Sequence, residues 1–462
     1  MITIEVVVVM SDANTEPENG TERLQAFTDL LDEGTLAHVE RELRELHPAE
    51  IAHLLESLPR EQRDAVWELV SVEHEGDVLL QVNDDVRERL IRDMDNSELV
   101  AATEGLQTDD LADILSGLPE AVTEQVLEAM DEQHRLRLQA VMSYPEDTAG
   151  GLMNIDTINV RADITLDVVQ RYLRRIGQIP AMTDQLIVTN RENQYLGLLP
   201  LTELLTKSPD TTVAEVMTRE QEGILATLPE KEVASRFEKR DLVSAPVVDE
   251  EGKLLGRITI DDVVDVIREE AEHSFMSMAG LSEEDDMFAP VVTSSRRRTI
   301  WLGINLLTAL LASWVIGHFG DTIEKMVALA VLMPIVASMG GIAGSQTLTL
   351  VIRGMALGQI SRGNARRLFN KELLVGGLNG VIWALIIAAV VFAWFRDLEL
   401  AVIIGVAILI NLVVAALAGA TIPLSLKRLG IDPALAGGVV LTTVTDVIGF
   451  LAFLGLATLV LA

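Results

Sequence analysis

Asp446 lies in the run LTTVTDVIGF and is the only acid inside the apolar stretch from Ala434 to Leu461. An ionisable side chain at such depth in a bilayer is costly and marks a functional site by default. Thr442 precedes it by four residues and Gly449 follows it by three, so on a helix the three share one face. Thr443 and Thr445 add further hydroxyls to the same segment. A carboxylate flanked by hydroxyls suits a hard cation that keeps most of its water, as Mg2+ does. Two such carboxylates meeting across a symmetric homodimer would form the ring that cation channels use for selection. The competing reading is an aspartate hydrogen-bonded to a neighbouring helix, although no basic residue lies in any span core to pair with it.

Another polar run, Gly340-Gly341-Ile-Ala-Gly344-Ser-Gln346-Thr-Leu-Thr349, follows Met333-Pro334. Gly340 and Gly344 are spaced for close helix contact. Ser345 and Gln346 are less easily explained by packing and are candidates to line a hydrated path. Asn305, Asn379 and Asn411 read as interhelical hydrogen bonds rather than ligands.

A third constellation is acidic: Asp241, Asp249, Glu250, Glu251, Asp261, Asp262, Asp265, Glu269 and Glu270 crowd a short stretch. Asp261, Asp265 and Glu269 repeat every four residues, so like charges share a helical face and repel modestly. Bound divalent ions would relieve that repulsion and shift the population toward a compact arrangement. The competing reading is a solvated acidic surface of the kind adaptation to high salt produces. The helical-domain acids Asp93, Asp95, Asp109 and Asp110 receive no assignment from sequence.

The elements that must position these groups follow from composition. The 462 residues are 49% apolar yet carry a net charge of −34. From Arg296 onward there are only seven of the 70 acids and twelve of the 36 bases, leaving about −39 on the first part and +5 on the second. No cysteine is present, which excludes disulfides, thiolate metal sites and a cysteine nucleophile. The apolar run before Met10 lacks the basic n-region and cleavage site of a signal peptide.

Five stretches are long and apolar enough to cross a bilayer: Ile300 to Phe319, Met326 to Ile352, Leu373 to Phe395, Leu400 to Leu424 and Ala434 to Leu461. Arg296, Arg297 and Arg298 precede the first; Arg353, Arg362, Arg366, Arg367 and Lys371 join the second to the third; Lys427 and Arg428 join the fourth to the fifth. Excess Lys and Arg mark cytoplasmic connections, which places the acidic half in the cytoplasm and the C-terminus outside the cell membrane, among lipid.

Two ungapped repeats organise the acidic half. Leu46 to Val70 matches Leu106 to Met130, with Leu58-Pro59 and Leu118-Pro119 as helix punctuation, and predicts stacked helical hairpins. Val188 to Leu205 aligns with Val247 to Val264, each unit reading strand, acidic turn, strand, helix, with Met153 and Met217 opening the two units.

This second repeat resembles a tandem pair of cystathionine-β-synthase (CBS) modules, a nucleotide or ion sensor. Thr259-x-x-Asp262 matches that family's ribose-contacting motif and implies one ATP or other adenine-nucleotide site; a fold-supporting turn is the alternative. The first unit has Pro200 and Glu203 there instead. The whole order, together with the YPEDTAGGLM hinge (Tyr144 to Met153), MPIVASMGGIAGSQ and TTVTDVIGF, resembles the MgtE family of magnesium channels. The resemblance implies a homodimer with a pore on its two-fold axis, Asp446 as the principal pore carboxylate, Asp241, Asp262 and Asp265 at sensor positions, and closure by high cytosolic Mg2+. Many relatives carry asparagines where this chain has Ile342 and Ser345.

The expected fold is therefore multi-domain. An unassigned segment (1–20) precedes an all-α helical-repeat domain (21–142), and two α/β CBS modules follow (143–209 and 210–270). A connecting helix region (271–298), broken near Gly280 and Pro290, then leads to a five-helix α transmembrane domain (299–462). Rival functions are a transporter or exporter of Co2+ or Mn2+, and a non-transport membrane sensor of nucleotide state. No enzyme motif and no nucleic-acid partner is indicated.

Overall fold

The computed structural model describes residues 27, 31, 36–103, 106–118, 120–130, 132–281, 286–361 and 363–461. The expectations for residues 1–20, Pro119, Ser282 to Asp285 and Arg362 lie outside them. Two compact units are formed: Met1–Glu269 with Glu284–Ala289, and Glu270–Glu283 with Pro290–Ala462.

Among the described residues the first unit holds, in order, the short helices α1 (Leu36–Leu43), α2 (Pro48–Glu56), α3 (Arg60–Trp67), α4 (Val72–Gln81), α5 (Asp84–Asp93), α6 (Asn96–Thr103), α7 (Thr108–Ser116), α8 (Glu120–Ala129) and α9 (Glu132–Met142). Adding 60 to the bounds of α1 and α2 gives those of α6 and α7, so the structural repeat starts before the sequence echo at Leu46. Alternate helices stack, α2 on α4, α4 on α6, α6 on α8 and α7 on α9. Leu55, Leu58, Val78, Leu79, Ile114 and Leu115 are buried in the shared core. Pro59 stands at the N-cap of α3, where its missing N–H costs nothing.

Two α/β modules follow. The first holds β1 (Asn159–Arg161), α10 (Leu166–Ile176), β2 (Gln185–Thr189), β3 (Tyr195–Pro200), α11 (Leu201–Thr206) and α12 (Val213–Val216); the second holds β4 (Ile224–Leu225), α13 (Glu230–Arg240), β5 (Ser244–Val248), β6 (Leu254–Thr259) and the start of α14 (Ile260–Met278). In each sheet the central strand pairs parallel to the first and antiparallel to the third. The register slips at Val188/Thr189 in one and at Val247/Val248 in the other, positions equivalent in the sequence alignment. The hinge is tied to the second module by bonds from Ala149 N to Leu228 O and from Gly150 N to Ala226 O, both 2.8 Å.

A buried ion pair spans this unit. Arg63 donates bidentately to Asp286 at 2.8 and 3.0 Å, and its remaining capacity goes to Leu55 O and Leu58 O. Both side chains are buried. Burial alone would push the Asp286 carboxyl up, but the bonds from Arg63 and Phe288 N hold it below the usual range.

In the second unit α14 ends at Met278, and Gly280 takes a positive φ before α15 begins after Pro290, at the break read from the sequence. The membrane helices are α15 (Val291–Gly317), α17 (Ala328–Ala356), α18 (Ala365–Phe395), α19 (Leu398–Arg428) and α20 (Pro433–Leu461), with a short α16 (Gly320–Lys325) after the first. Five helices among the described residues are thus long and apolar enough to span a bilayer. The central one is α19, whose apolar window is 61% buried against 11% for α15; it packs on α17, α18 and α20. At Gly419 a Cβ would stand 2.7 Å from Gly344 O, so small residues set the α17–α19 distance.

Candidate functional site

Asp446 stands at the middle of the 29-residue α20 and is half-buried. Its carboxylate forms no hydrogen bond or ion pair with another described residue of this chain. Around it, Thr442 donates to Gly438 O at 3.0 Å and Thr443 to Val439 O at 2.7 Å. Because these hydroxyl hydrogens are spent on the helix, the oxygen lone pairs are what each threonine presents outward. Thr445 differs: it is fully buried and donates to Thr442 O, so it faces the protein interior rather than an ion path.

On α17, Ser345 and Gln346 are exposed on the single chain, and no bond joins either to Asp446. Thr347, next in the run, is buried and donates to Glu372 Oε2 of α18 at 3.1 Å. A second acid therefore lies inside a membrane helix, nearer its end than Asp446 is to the end of its own. Helix α18 starts at Ala365 rather than near Leu373, so Glu372 is eight residues in and buried, with Lys371 Nζ 3.0 Å from its Oε1. The two charges pair, yet Oε1 itself accepts no hydrogen bond. Glu372 was missed because the apolar run begins one residue after it; the basic residues from Arg366 to Lys371 were the available hint that the helix starts earlier.

Of the three asparagines, Asn411 does bond across helices, to Val336 O at 2.8 Å. Asn305 bonds its own helix at Trp301 O instead, since that carbonyl lies one turn below it. Asn379 is exposed.

The acidic constellation separates into pieces. Asp241 is the exposed left-handed C-cap of α13, and Asp249 accepts from Lys253 N to close the β5–β6 turn. Asp261, Asp262, Asp265, Glu269 and Glu270 do lie along α14. What faces them is the α7 group Asp109, Asp110 and Asp113, two of which were noted in the sequence without assignment. Burial, and then the charge of Asp262, pushes Asp109 up to about 8. Burial with Asp261 raises Asp110 to about 6, and burial with Asp110 raises Asp113 to about 7. Asp262 itself rises to about 7 through burial and then Asp261, and Asp265 and Glu269 are raised chiefly by burial. The pairing was not visible in sequence because 150 residues separate the two helices.

Asp109 Oδ1 is buried without a hydrogen-bond partner, an acceptor that a cation fits. No three acidic or histidine side chains among the described residues converge as a ready ligand set. Mg2+ is commonly held by one or two carboxylates with water completing its shell, so a facing pair is compatible with it.

The nucleotide motif takes the form of a local cap. Asp262 Oδ2 accepts from Thr259 N at 3.3 Å and Thr259 Oγ1 at 3.1 Å, and Thr259 is buried. At the other end of α14, His273 Nε2 lies 3.3 Å from Asp432 Oδ2, while Asp432 Oδ1 accepts from Ala434 N at the start of α20.

Residues 333–456 match the family profile described as "MgtE: Divalent cation transporter", residues 46–147 match "MgtE intracellular N domain", and residues 208–269 match "CBS domain". The chain is 31% identical over 441 residues to "Magnesium transporter MgtE" of Thermus thermophilus, covering 94% of this chain and 98% of that protein. It is 27% identical over 429 residues to the protein of the same name in Bacillus subtilis, covering 93% and 95%. Among solved structures it resembles the "cytosolic domain of the Mg2+ channel MgtE in complex with ATP", with 30% identity, a TM-score of 0.49, and coverage of 53% of this chain and 99% of that one.

Proposed function

Because this chain belongs to the MgtE family of magnesium transporters, we propose that it conducts Mg2+ through a homodimeric pore in the cell membrane, with Asp446 as the selecting carboxylate. The observation that carries this reading is the unpaired, half-buried carboxylate at the middle of α20. A carboxylate in a span has to be compensated by something, and in the absence of a protein partner a hydrated cation meets the requirement. Thr442 and Thr443 supply hydroxyl oxygens to the water shell, and Mg2+, which sheds water reluctantly, passes without full dehydration. Basic residues at the ends of α17 and α19 support an acidic half in the cytoplasm and a C-terminus outside.

The cytoplasmic acids form the sensor. Asp109, Asp110 and Asp113 face Asp261, Asp262 and Asp265 and repel when ionised. Mg2+ held among these carboxylates offsets the repulsion and favours the docked state, which is the closed state. The proposed sensor centres on these carboxylates; Asp249 also closes the β5–β6 turn, and Asp241 is an exposed helix cap. Thr259 and Asp262 remain a place for an adenine nucleotide, whose binding would have to break the cap between them.

Flux of Mg2+ into proteoliposomes holding the purified full-length protein tests the pore. Asp446→Asn is expected to abolish it, Mg2+ is expected to outcompete Co2+ and Mn2+, and unchanged flux in Asp446→Asn overturns the assignment.

A further inference from the structure

Asn411 of α19 is completely buried among the membrane helices. Its Nδ2 donates to Val336 O of α17. A Cβ on Gly340 of α17 would stand 2.3 Å from that nitrogen, and a Cβ on Gly449 of α20 would stand 2.7 Å from it. The amide therefore fills a slot that exists only because both neighbours are glycine. Asn411 Oδ1 is meanwhile buried without a hydrogen-bond partner. If filling space between helices were the only task, an apolar side chain would do it without stranding an acceptor. Gly449 lies three residues after Asp446 on the same helix, less than one turn away, so whatever fixes Gly449 fixes the height and rotation of the Asp446 carboxylate.

We infer that Asn411 is a positioning residue for the ion path: seated between Gly340 and Gly449, it locks α17 and α20 at one spacing and rotation, and so sets where Asp446 meets the cation. The inference rests on Asp446 being the pore carboxylate. Its consequence is for selectivity. A hydrated Mg2+ ion is discriminated by the distance between carboxylates, and a helix freed to rotate loosens that distance without removing the charge.

The test uses full-length protein in proteoliposomes, with the ratio of Mg2+ to Ca2+ flux as the main readout, because a ratio does not depend on how much protein folded. Asn411→Ala is expected to reduce the ratio roughly tenfold, the factor that corresponds to about 1.4 kcal/mol in a barrier. Gly449→Ala should do the same or worse, since its methyl meets the amide. The double variant Asn411→Ala/Gly449→Ala should recover much of what Gly449→Ala loses, as the new methyl enters the vacated slot; such coupling is the mark of direct contact. If Gly449→Ala gives no folded protein, recovery of folded protein in the double variant supports the inference and its absence counts against it. An unaltered ratio in Asn411→Ala, or strictly additive effects, overturns it. Asp446→Asn is run alongside: lost flux there with a normal ratio in Asn411→Ala overturns this inference alone, whereas normal flux in Asp446→Asn overturns the pore reading beneath both.

Discussion

The Arg63 guanidinium donates to four oxygens, two on Asp286, one in the last turn of α2 and one just beyond it, with neither charged partner reaching solvent. A buried pair of this kind is a modest net stabiliser, because desolvation cancels most of the attraction. Removing one partner is another matter, since it leaves a lone buried charge. Arg63→Ala is therefore expected to destabilise the full-length protein by about 3–5 kcal/mol. Thermal or urea unfolding would show it, and Arg63→Lys should recover only part because it cannot make the bidentate contact. Asp446 presents the opposite case, a carboxylate with no partner whose loss should cost flux and leave folding largely intact. The residues differ by what surrounds them, not by type. Sequence alone exposed Asp446, since one acid in a 28-residue apolar run is conspicuous. It could not expose Asp286, one among many acids, or Glu372, which sits at the edge of a run and is defined by Thr347 opposite.

Among elements, the facing of α7 and α14 is where pH and metal meet. The acids Asp109, Asp110, Asp113 and Asp262 have native pKa values raised to between about 6 and about 8. A raised carboxyl pKa means the docked form binds more protons than the separated form, so docking is favoured at low pH and lost as pH rises through that range. The neighbouring cations soften the effect; Arg257 is near Asp109 and Asp261, and Arg87 is near Asp113. Without divalent ions, protease protection of the α7 and α14 region is expected to fall between pH 6 and pH 8, the limits of those raised values. Added Mg2+ should restore it, and more Mg2+ should be needed at the higher pH, where protons no longer help to neutralise the facing carboxylates. Protection that ignores both pH and Mg2+ would remove the sensor. Asp262→Asn should weaken the Mg2+ response while leaving the β5–β6 sheet in place. The bounds of the elements themselves were largely legible, because the offset of 59 residues between β2–β3 and β5–β6 follows from an ungapped repeat.

At the scale of the molecule, the charge of −34 raises the question of screening against binding. Exposed acids repel over a Debye length that monovalent salt shortens, about 10 Å at 0.1 M. Thermal stability of the full-length protein is therefore expected to rise with KCl. If the α7 and α14 acids hold Mg2+, millimolar MgCl2 should add a further rise at matched ionic strength, and Asp109→Asn combined with Asp262→Asn should erase that increment only. Equal curves for the two salts at matched ionic strength would reduce the acids to a solvated surface.

The sequence by itself determined the parts of this protein. Five apolar spans, two internal repeats, the sign change near Arg296 and the isolated Asp446 all follow from short-range regularities: how apolar side chains recur along a helix, where bases gather at a bilayer, what a strand repeat requires. Only the tertiary structure decided which side chains look at one another. It set Asp109 against Asp262, Arg63 against Asp286, Thr347 against Glu372, and Asn411 between Gly340 and Gly449. Such pairings depend on how helices distant in the chain pack to fill space and satisfy buried polar atoms, and no local pattern encodes the outcome of that packing.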